Sequence, residues 1–270
     1  MSLLGNKKNA PHEVWQDAWL TAQASPDPER AERILGEAVD RVHAFRSENP
    51  EERIAYGWSG GKDSLALQLV AEAAGIQEGV LVLSHLEVPS FEREALQRKP
   101  SGVVLHRREG INHGWLREHM ELLFPDDAAT AGRWFQLIQH RGQREFMRTS
   151  GSGALLMGRR RADGNYVGKA LPGGGHAYRD REGFLRFSPI SDWSHDDLLN
   201  LLAVRGIQLP SINSARDGFQ GGTGAWAARR RAGTVEETWD LTYQLDPEAV
   251  HIAAREGIPG ANSALERGEG

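Results

Sequence analysis

Cysteine is absent from this 270-residue chain. That absence excludes disulfides, thiolate nucleophiles, iron–sulfur clusters and cysteine-bound zinc. Long apolar runs are missing too. None approaches the ~20 residues that a membrane-spanning helix needs, so no membrane association is expected. Met1 to Pro11 carries Lys7 and Lys8 with no apolar stretch behind them, which does not read as a secretory signal. A cytoplasmic location is the default expectation. Excess positive charge is lacking as well. A net charge of −5 argues against a general nucleic-acid coat, though not against a local basic groove. Arginine does cluster, at Arg107-Arg108, Arg159-Arg160-Arg161 and Arg229-Arg230-Arg231, and each cluster reads equally as a solvated face. His106, His113, His119 and His140 have no histidine four residues away, so histidine metal ligation lacks support. Neither Gly-x-x-x-x-Gly-Lys-Ser/Thr nor Gly-x-Gly-x-x-Gly occurs, so a Walker loop and a Rossmann dinucleotide site both lack support.

What is present is Ser59-Gly60-Gly61-Lys62-Asp63-Ser64. It lies between an apolar stretch, Ile54-Ala55-Tyr56-Gly57-Trp58, and a helix-like run, Leu65-Ala66-Leu67-Gln68-Leu69-Val70-Ala71. Strand, glycine turn and helix start, in that order, make a phosphate cradle. The glycines let consecutive N–H groups converge on an anion, and the helix adds unpaired amides and its positive dipole end. Lys62 brings a mobile cation, while Ser59 and Ser64 bring hydroxyl donors. The bland alternative, a glycine turn with a surface lysine, does not require Lys-Asp-Ser after the glycines.

The rest of the chain has the size and composition of a globular protein with 39% hydrophobic and 26% charged residues. It is long enough for one large α/β domain, or one domain with an appendage. Residues 12–48 read as two helices broken at Ser25-Pro26-Asp27-Pro28. Strands are expected at 53–58, 79–85, 102–106 and 153–158, and helices at 64–74, 89–98, 112–124, 133–148 and 194–204. Asn112 caps the 112–124 helix, and Ser194 with Asp197 forms a capping box. Alternating strands and helices imply a parallel sheet with ligands at the strand carboxyl ends, where the loop, His85 and Glu87 fall. Residues 164–188 carry hairpin signals around Gly173-Gly174-Gly175 and Arg181-Glu182-Gly183. A loop over the site is expected at 209–224, short helices near 234–244 and 247–256, and a frayed end from Gly257. Three regions result: an N-terminal helical segment at 1–50, a nucleotide-binding domain at 51–231, and C-terminal helices with a flexible tail at 232–270.

Ser-Gly-Gly-Lys-Asp-Ser resembles the PP-loop of the N-type ATP pyrophosphatases, in the adenine nucleotide alpha hydrolase-like superfamily. Met157-Gly158-Arg159-Arg160-Arg161-Ala162-Asp163, the Pro189, Ile190, Asp192 and Trp193 segment, the Leu209-Pro210 turn and the stretch 221–226 narrow the resemblance to the phosphoadenosine phosphosulfate reductase-like family. The sulfate adenylyltransferase small subunit is similar in motif. The resemblance runs from about residue 53 to 231. It implies a Rossmann-like, doubly wound, mostly parallel α/β sheet with N-terminal helices and a small C-terminal extension. It also implies ATP binding, cleavage of the α–β phosphate bond with release of pyrophosphate, and adenylation of an acceptor. Carried onto this sequence, cofactor binding falls to Ser59, Gly60, Gly61, Lys62, Asp63, Ser64, His85 and Gly158. Catalysis falls to Lys62, Asp63, Arg160 and Arg161, with Asp63 also positioning Mg²⁺.

Two departures shape the reading. The family's reductases attack sulfur with a C-terminal cysteine, and Ala225 stands where thiols often occur, so thiol-dependent reduction is excluded here. His85-Leu86-Glu87 replaces the usual Asp-Thr-Gly. The expected acceptor is sulfate, a carboxylate or a base on a polynucleotide, with nucleic acid less favoured. The alternatives are a nucleic-acid modifying enzyme of the same loop type and a catalytically silent nucleotide-binding subunit. A partner subunit or self-association is left open.

Overall fold

The computed structural model describes residues 4–6, 10–216, 218–219, 229–230 and 232–268. The glycine-rich stretch 221–226, with Ala225 and Trp226, lies outside the described residues, as does Arg231.

Two helices, α1 (His12–Ala24) and α2 (Pro28–Glu48), open the chain. Asp27 caps α2 by accepting from the Arg30 amide, and Pro28 occupies the first turn, where its missing N–H costs nothing. Ala31, Ile34, Leu35, Ala38, Val42 and Phe45 form the buried face of α2 at helical spacing. Then come β1 (Ile54–Gly57), α3 (Lys62–Ala73), β2 (Gly79–Leu83), α4 (Pro89–Arg98) and β3 (Val103–Arg107). The later strands are β4 (Ala154–Leu156), β5 (Lys169–Ala170), β6 (His176–Arg179) and β7 (Leu185–Ser188). All seven belong to one sheet, ordered β3-β2-β1-β4-β7-β6-β5. β1 pairs in parallel with β2 (Tyr56↔Gly79) and with β4 (Ala55↔Leu155), and β4 pairs in parallel with β7. β5, β6 and β7 form the antiparallel hairpins expected between 164 and 188. The fold is α/β on a mostly parallel sheet, as the sequence implied.

The remaining helices are α5 (His113–Glu118), α6 (Ala128–Phe135), α7 (Arg141–Ser150), α8 (His195–Val204), α9 (Val235–Leu245), α10 (Pro247–Arg255) and α11 (Ala261–Gly268). Three differ from expectation. The helix over 112–124 stops at Glu118, because His119 turns out of helical geometry and its Nδ1 meets the Trp115 carbonyl at 2.8 Å. A 3₁₀ turn and a left-handed Phe124 follow. The helix over 133–148 begins earlier, at Ala128, where Asp127 accepts from Ala129 and Thr130, and it contains a π-helical stretch at Gln136–His140. The frayed end is a helix instead, α11, with Ala261 and Ala264 on its buried face.

The chain divides into two compact units. The first comprises residues 1–81, 100–104 and 144–210. Within it α1 and α2 pack on α8, and α3 packs on both α2 and α8. Phe45 stacks on Phe187 at 4.3 Å. The Asn200 amide exchanges two 2.8 Å hydrogen bonds with the backbone of Asp27, which pins the start of α2 to α8. The second unit comprises residues 82–99, 105–143 and 211–270. There α9, α10 and α11 pack together around buried Trp239, whose ring meets Phe124 edge-on at 5.0 Å. No helix among the described residues is long and apolar enough to cross a membrane.

Candidate functional site

β1 ends at Gly57, and the buried Trp58 anchors the exit by donating Nε1–H to Gln68 of α3 at 2.8 Å. Ser59, Gly60 and Gly61 then make the turn. Gly60 has φ +76°, a left-handed conformation that a side chain would strain. Gly61 is the N-cap of α3 and supplies no side-chain cap. Ser64 folds the loop back on itself: its hydroxyl donates to the Gly61 carbonyl (2.9 Å) and accepts from the Ser59 amide (3.1 Å). The Gly61 carbonyl also accepts the amides of Ser64 and Leu65. Among the described residues, the amides of Gly60, Gly61, Lys62 and Asp63 have no partner within the chain. Four unmet donors at the positive end of a helix are chemically suited to an anion. Ser59, Gly61 and Asp63 are half-buried, so the turn is not sealed from solvent.

Lys62 and Asp63 of the loop belong to a largely buried ionic network. Lys62, only 7% exposed, donates to Asp63 Oδ2 at 2.8 Å. Asp63 Oδ1 accepts from Arg160 Nε, also at 2.8 Å. Arg160 is fully buried and spends its other donors on Asp163 (3.1 Å), His195 Nδ1 (3.2 Å) and the Trp193 carbonyl (3.4 Å). Burial pushes the Asp63 carboxyl up, but the adjacent Lys62 and Arg160 outweigh it and hold the group well below the usual carboxylate range. Asp163 goes the other way, raised by burial and by the nearby charge of Asp63 against the pull of Arg160 and Lys62.

The Mg²⁺ expectation for Asp63 does not fit. Each of its oxygens already accepts a hydrogen from a cation, so a divalent ion placed there would meet two positive charges at close range. Among the described residues, no cluster of histidine and carboxylate side chains could hold a metal.

Gly158, at the exit of β4, matters by proximity. A Cβ there would sit 2.9 Å from the Asp63 carbonyl oxygen and 3.1 Å from its carbon. The strand exit and the start of α3 therefore touch backbone to backbone. Gly158→Ala is expected to force them apart and destabilise the fold by about 1–3 kcal/mol, read as a lower urea midpoint with an unchanged slope. An unchanged midpoint would show that the contact yields freely.

The arginine run splits. Arg160 adopts an extended backbone, so Arg159 and Arg161 point away from it. Arg159 reaches the Tyr178 hydroxyl at 3.0 Å. Arg161 is 68% exposed and pairs loosely with Asp192 at 3.5 Å. The other clusters are tied into the second unit. Arg107 bonds Ser84 and Glu92, and Arg230 bonds the Pro125 carbonyl and lies near Asp126.

Solved structures of two enzymes resemble this chain. One is phosphoadenylyl-sulfate (PAPS) reductase from Candida auris in a phosphate complex, at TM-score 0.46 and 11% identity, over 70% of this chain and 92% of that one. The other is FMN adenylyltransferase from Candida glabrata with FMN and the ATP analogue AMPCPP, at TM-score 0.41 and 12% identity, over 71% of this chain and 65% of that one. No family model and no curated protein matches the sequence.

His85 falls in the second unit, where its Nε2 lies 2.8 Å from Glu109. Two residues on, Glu87 is buried and held by the amide and hydroxyl of Ser84, with burial raising its carboxyl. Three residues of the network were given no site role from sequence: Trp15, His195 and Asp163, the last although it closes the 157–163 motif. The ring of Trp15 lies under Lys62, with Nζ 5.4 Å from its centroid. Asp163 stands three residues after Arg160, a spacing that would have flagged it. Nothing in the sequence flags Trp15 or His195.

Proposed function

We propose that the chain binds ATP with its β,γ-phosphates on the Ser59–Ser64 loop and adenylates an acceptor, releasing pyrophosphate. One observation carries this reading: four consecutive amides without a partner among the described residues, at a helix start whose first residue is Lys62. The hydroxyl of Ser59 lies at the same turn. Lys62 makes one hydrogen bond among the described residues, so two of its three N–H donors remain for a phosphate oxygen. An acceptor oxygen or nitrogen would attack the α-phosphorus. The α–β bridging bond breaks, its electron pair leaves with pyrophosphate, and the acceptor's proton passes to solvent. Such a step needs chiefly positioning and charge stabilisation, which the amides and Lys62 supply. Any Mg²⁺ travels on the triphosphate, as part of the substrate. Arg160 holds Asp63 in place, and Arg161 is the exposed arginine suited to the α-phosphate or the acceptor. With no cysteine, a thiol-dependent reduction is excluded.

The test is a pyrophosphate assay with ATP across sulfate, amino acids and oligonucleotides. Acceptor-dependent pyrophosphate release is the expected result. Orthophosphate and ADP as the only products would contradict it, and calorimetric ATP binding with no product would leave a silent nucleotide-binding subunit.

One observation favours the nucleic-acid alternative. Tyr166 is 68% exposed, its ring 5.2 Å from that of Tyr178, and Arg159 bonds the Tyr178 hydroxyl. An open aromatic face beside a guanidinium suits an unpaired base. If a polynucleotide is the acceptor, its binding weakens steeply with salt and with Tyr166→Ala.

A further inference from the structure

Read from sequence, the N-terminal helices have no part in the site. The geometry gives one of them a part in the loop. Lys62 Nζ lies over the ring of Trp15 in α1, at 5.4 Å. Trp15, 1% exposed, meets the His195 ring edge-on at 4.5 Å and 67°. His195 Nδ1 faces Arg160 Nη2 at 3.2 Å. Arg160 bonds Asp63, and Asp63 bonds Lys62. The contacts close into a ring: Lys62, Trp15, His195, Arg160, Asp63 and back to Lys62.

We propose that Trp15 and His195 are positioning residues, holding the Lys62 ammonium and the Asp63 carboxylate in register for an anion on the loop. Arginine only donates, so Nδ1 of His195 accepts and its ring proton sits on Nε2. That neutral imidazole fixes the guanidinium plane, and the guanidinium fixes Asp63. From the other side, the π-face of Trp15 holds the ammonium where Asp63 can reach it. Leu4 and Gly5 tie the start of α8 in place. Leu4 and Gly5 donate to Asp196, and the His195 amide donates to the Gly5 carbonyl at 3.0 Å. Stacking of α1 on α8 brings Trp15 and His195 together.

The consequence for nucleotide rests on the ATP reading above. The placement of Lys62 does not, so its test is independent of turnover. The 270-residue chain is treated with an acetylating reagent at one pH, and Lys62 modification is quantified by peptide mass spectrometry relative to exposed Lys169. Trp15→Leu is expected to raise Lys62 acetylation about tenfold, as loss of a desolvated cation–π contact implies, and to weaken ATP binding by a similar factor. Trp15→Phe keeps an aromatic face while losing core volume, so it restores most of the protection. A purely structural role would make the two variants alike. Should Trp15→Leu fail to fold, the pair His195→Leu and His195→Gln replaces it. Glutamine retains an acceptor for Arg160 and is expected to protect Lys62, whereas leucine does not. Lys62 acetylation within about twofold of wild type in the Leu variants, or rescue variants no better than Leu, would overturn the proposal. If wild type fails to bind ATP while the acetylation pattern holds, the functional reading falls and the positioning of Lys62 stands.

Discussion

Lys62→Ala is expected to reduce ATP-dependent pyrophosphate release about 100-fold or more, the scale of losing one preorganised charge donor at a reacting phosphate. Lys62 is the first residue of α3 and one of the four loop residues whose amides have no intrachain partner. Removing its ammonium takes away the lysine cation of the loop, held between Asp63 and Trp15, and with it one of the two cations on Asp63. The other, Arg160, remains, so the loop keeps its shape and the urea midpoint moves far less than the rate. Lys62→Arg is expected to rescue little. The lysine side chain is nearly buried against Trp15, and a guanidinium is too large and too planar for that place. Steady-state pyrophosphate release, compared with the urea midpoint of each variant, separates the two effects. Pyrophosphate release near the wild-type rate in Lys62→Ala would remove the loop from the chemistry.

Arg160→Leu is expected to have the largest effect on stability, a loss of about 3–5 kcal/mol by urea denaturation. Arg160 is fully buried and bonds two carboxylates, an imidazole and a carbonyl. Replacing it leaves those acceptors in place with their main donor gone. Arg160→Lys does not rescue, because one ammonium cannot span Asp63 and Asp163 as the guanidinium fork does. The pH dependence follows from the two carboxylates, with opposite signs. The fold favours ionised Asp63, whose contribution is complete above the ordinary carboxylate value near ~3.9 and is lost as pH falls from there towards its lower folded value. It favours protonated Asp163, whose contribution is present below the ordinary value and is lost as pH rises through its higher folded value. In Arg160→Leu the hold on Asp63 weakens, so acid unfolding is expected to begin at higher pH than in wild type. An acid limb unchanged from wild type would show that Arg160 does not hold Asp63 ionised.

The elements that set up the loop were legible in the sequence because their signals are local. A short apolar stretch marks β1, the paired glycines mark the turn, and Ser194 with Asp197 marks the start of α8 through reciprocal side-chain and backbone bonds. The direction of Arg160 was not legible. Three consecutive arginines cross from the extended Arg160 into a 3₁₀ turn that starts at Arg161, and composition carries no sign to say which of them is buried. Trp15 was equally hidden. A tryptophan on a helix face reads as core, and it is core; its role beneath Lys62 arises only when α1 packs on α8. α11 escaped for a different reason. Its buried positions are alanines, too small to stand out as a hydrophobic stripe after the turn ending at Gly260. The π-helical stretch at Gln136–His140 has no sequence signature of its own.

The most direct measurement of the central claim is an amide chemical-shift titration of the isotope-labelled protein with a non-hydrolysable ATP analogue. The account predicts that the backbone signals of Gly60, Gly61, Lys62 and Asp63 move most and saturate together. A saturable titration in which those four signals stay fixed while others move would contradict it.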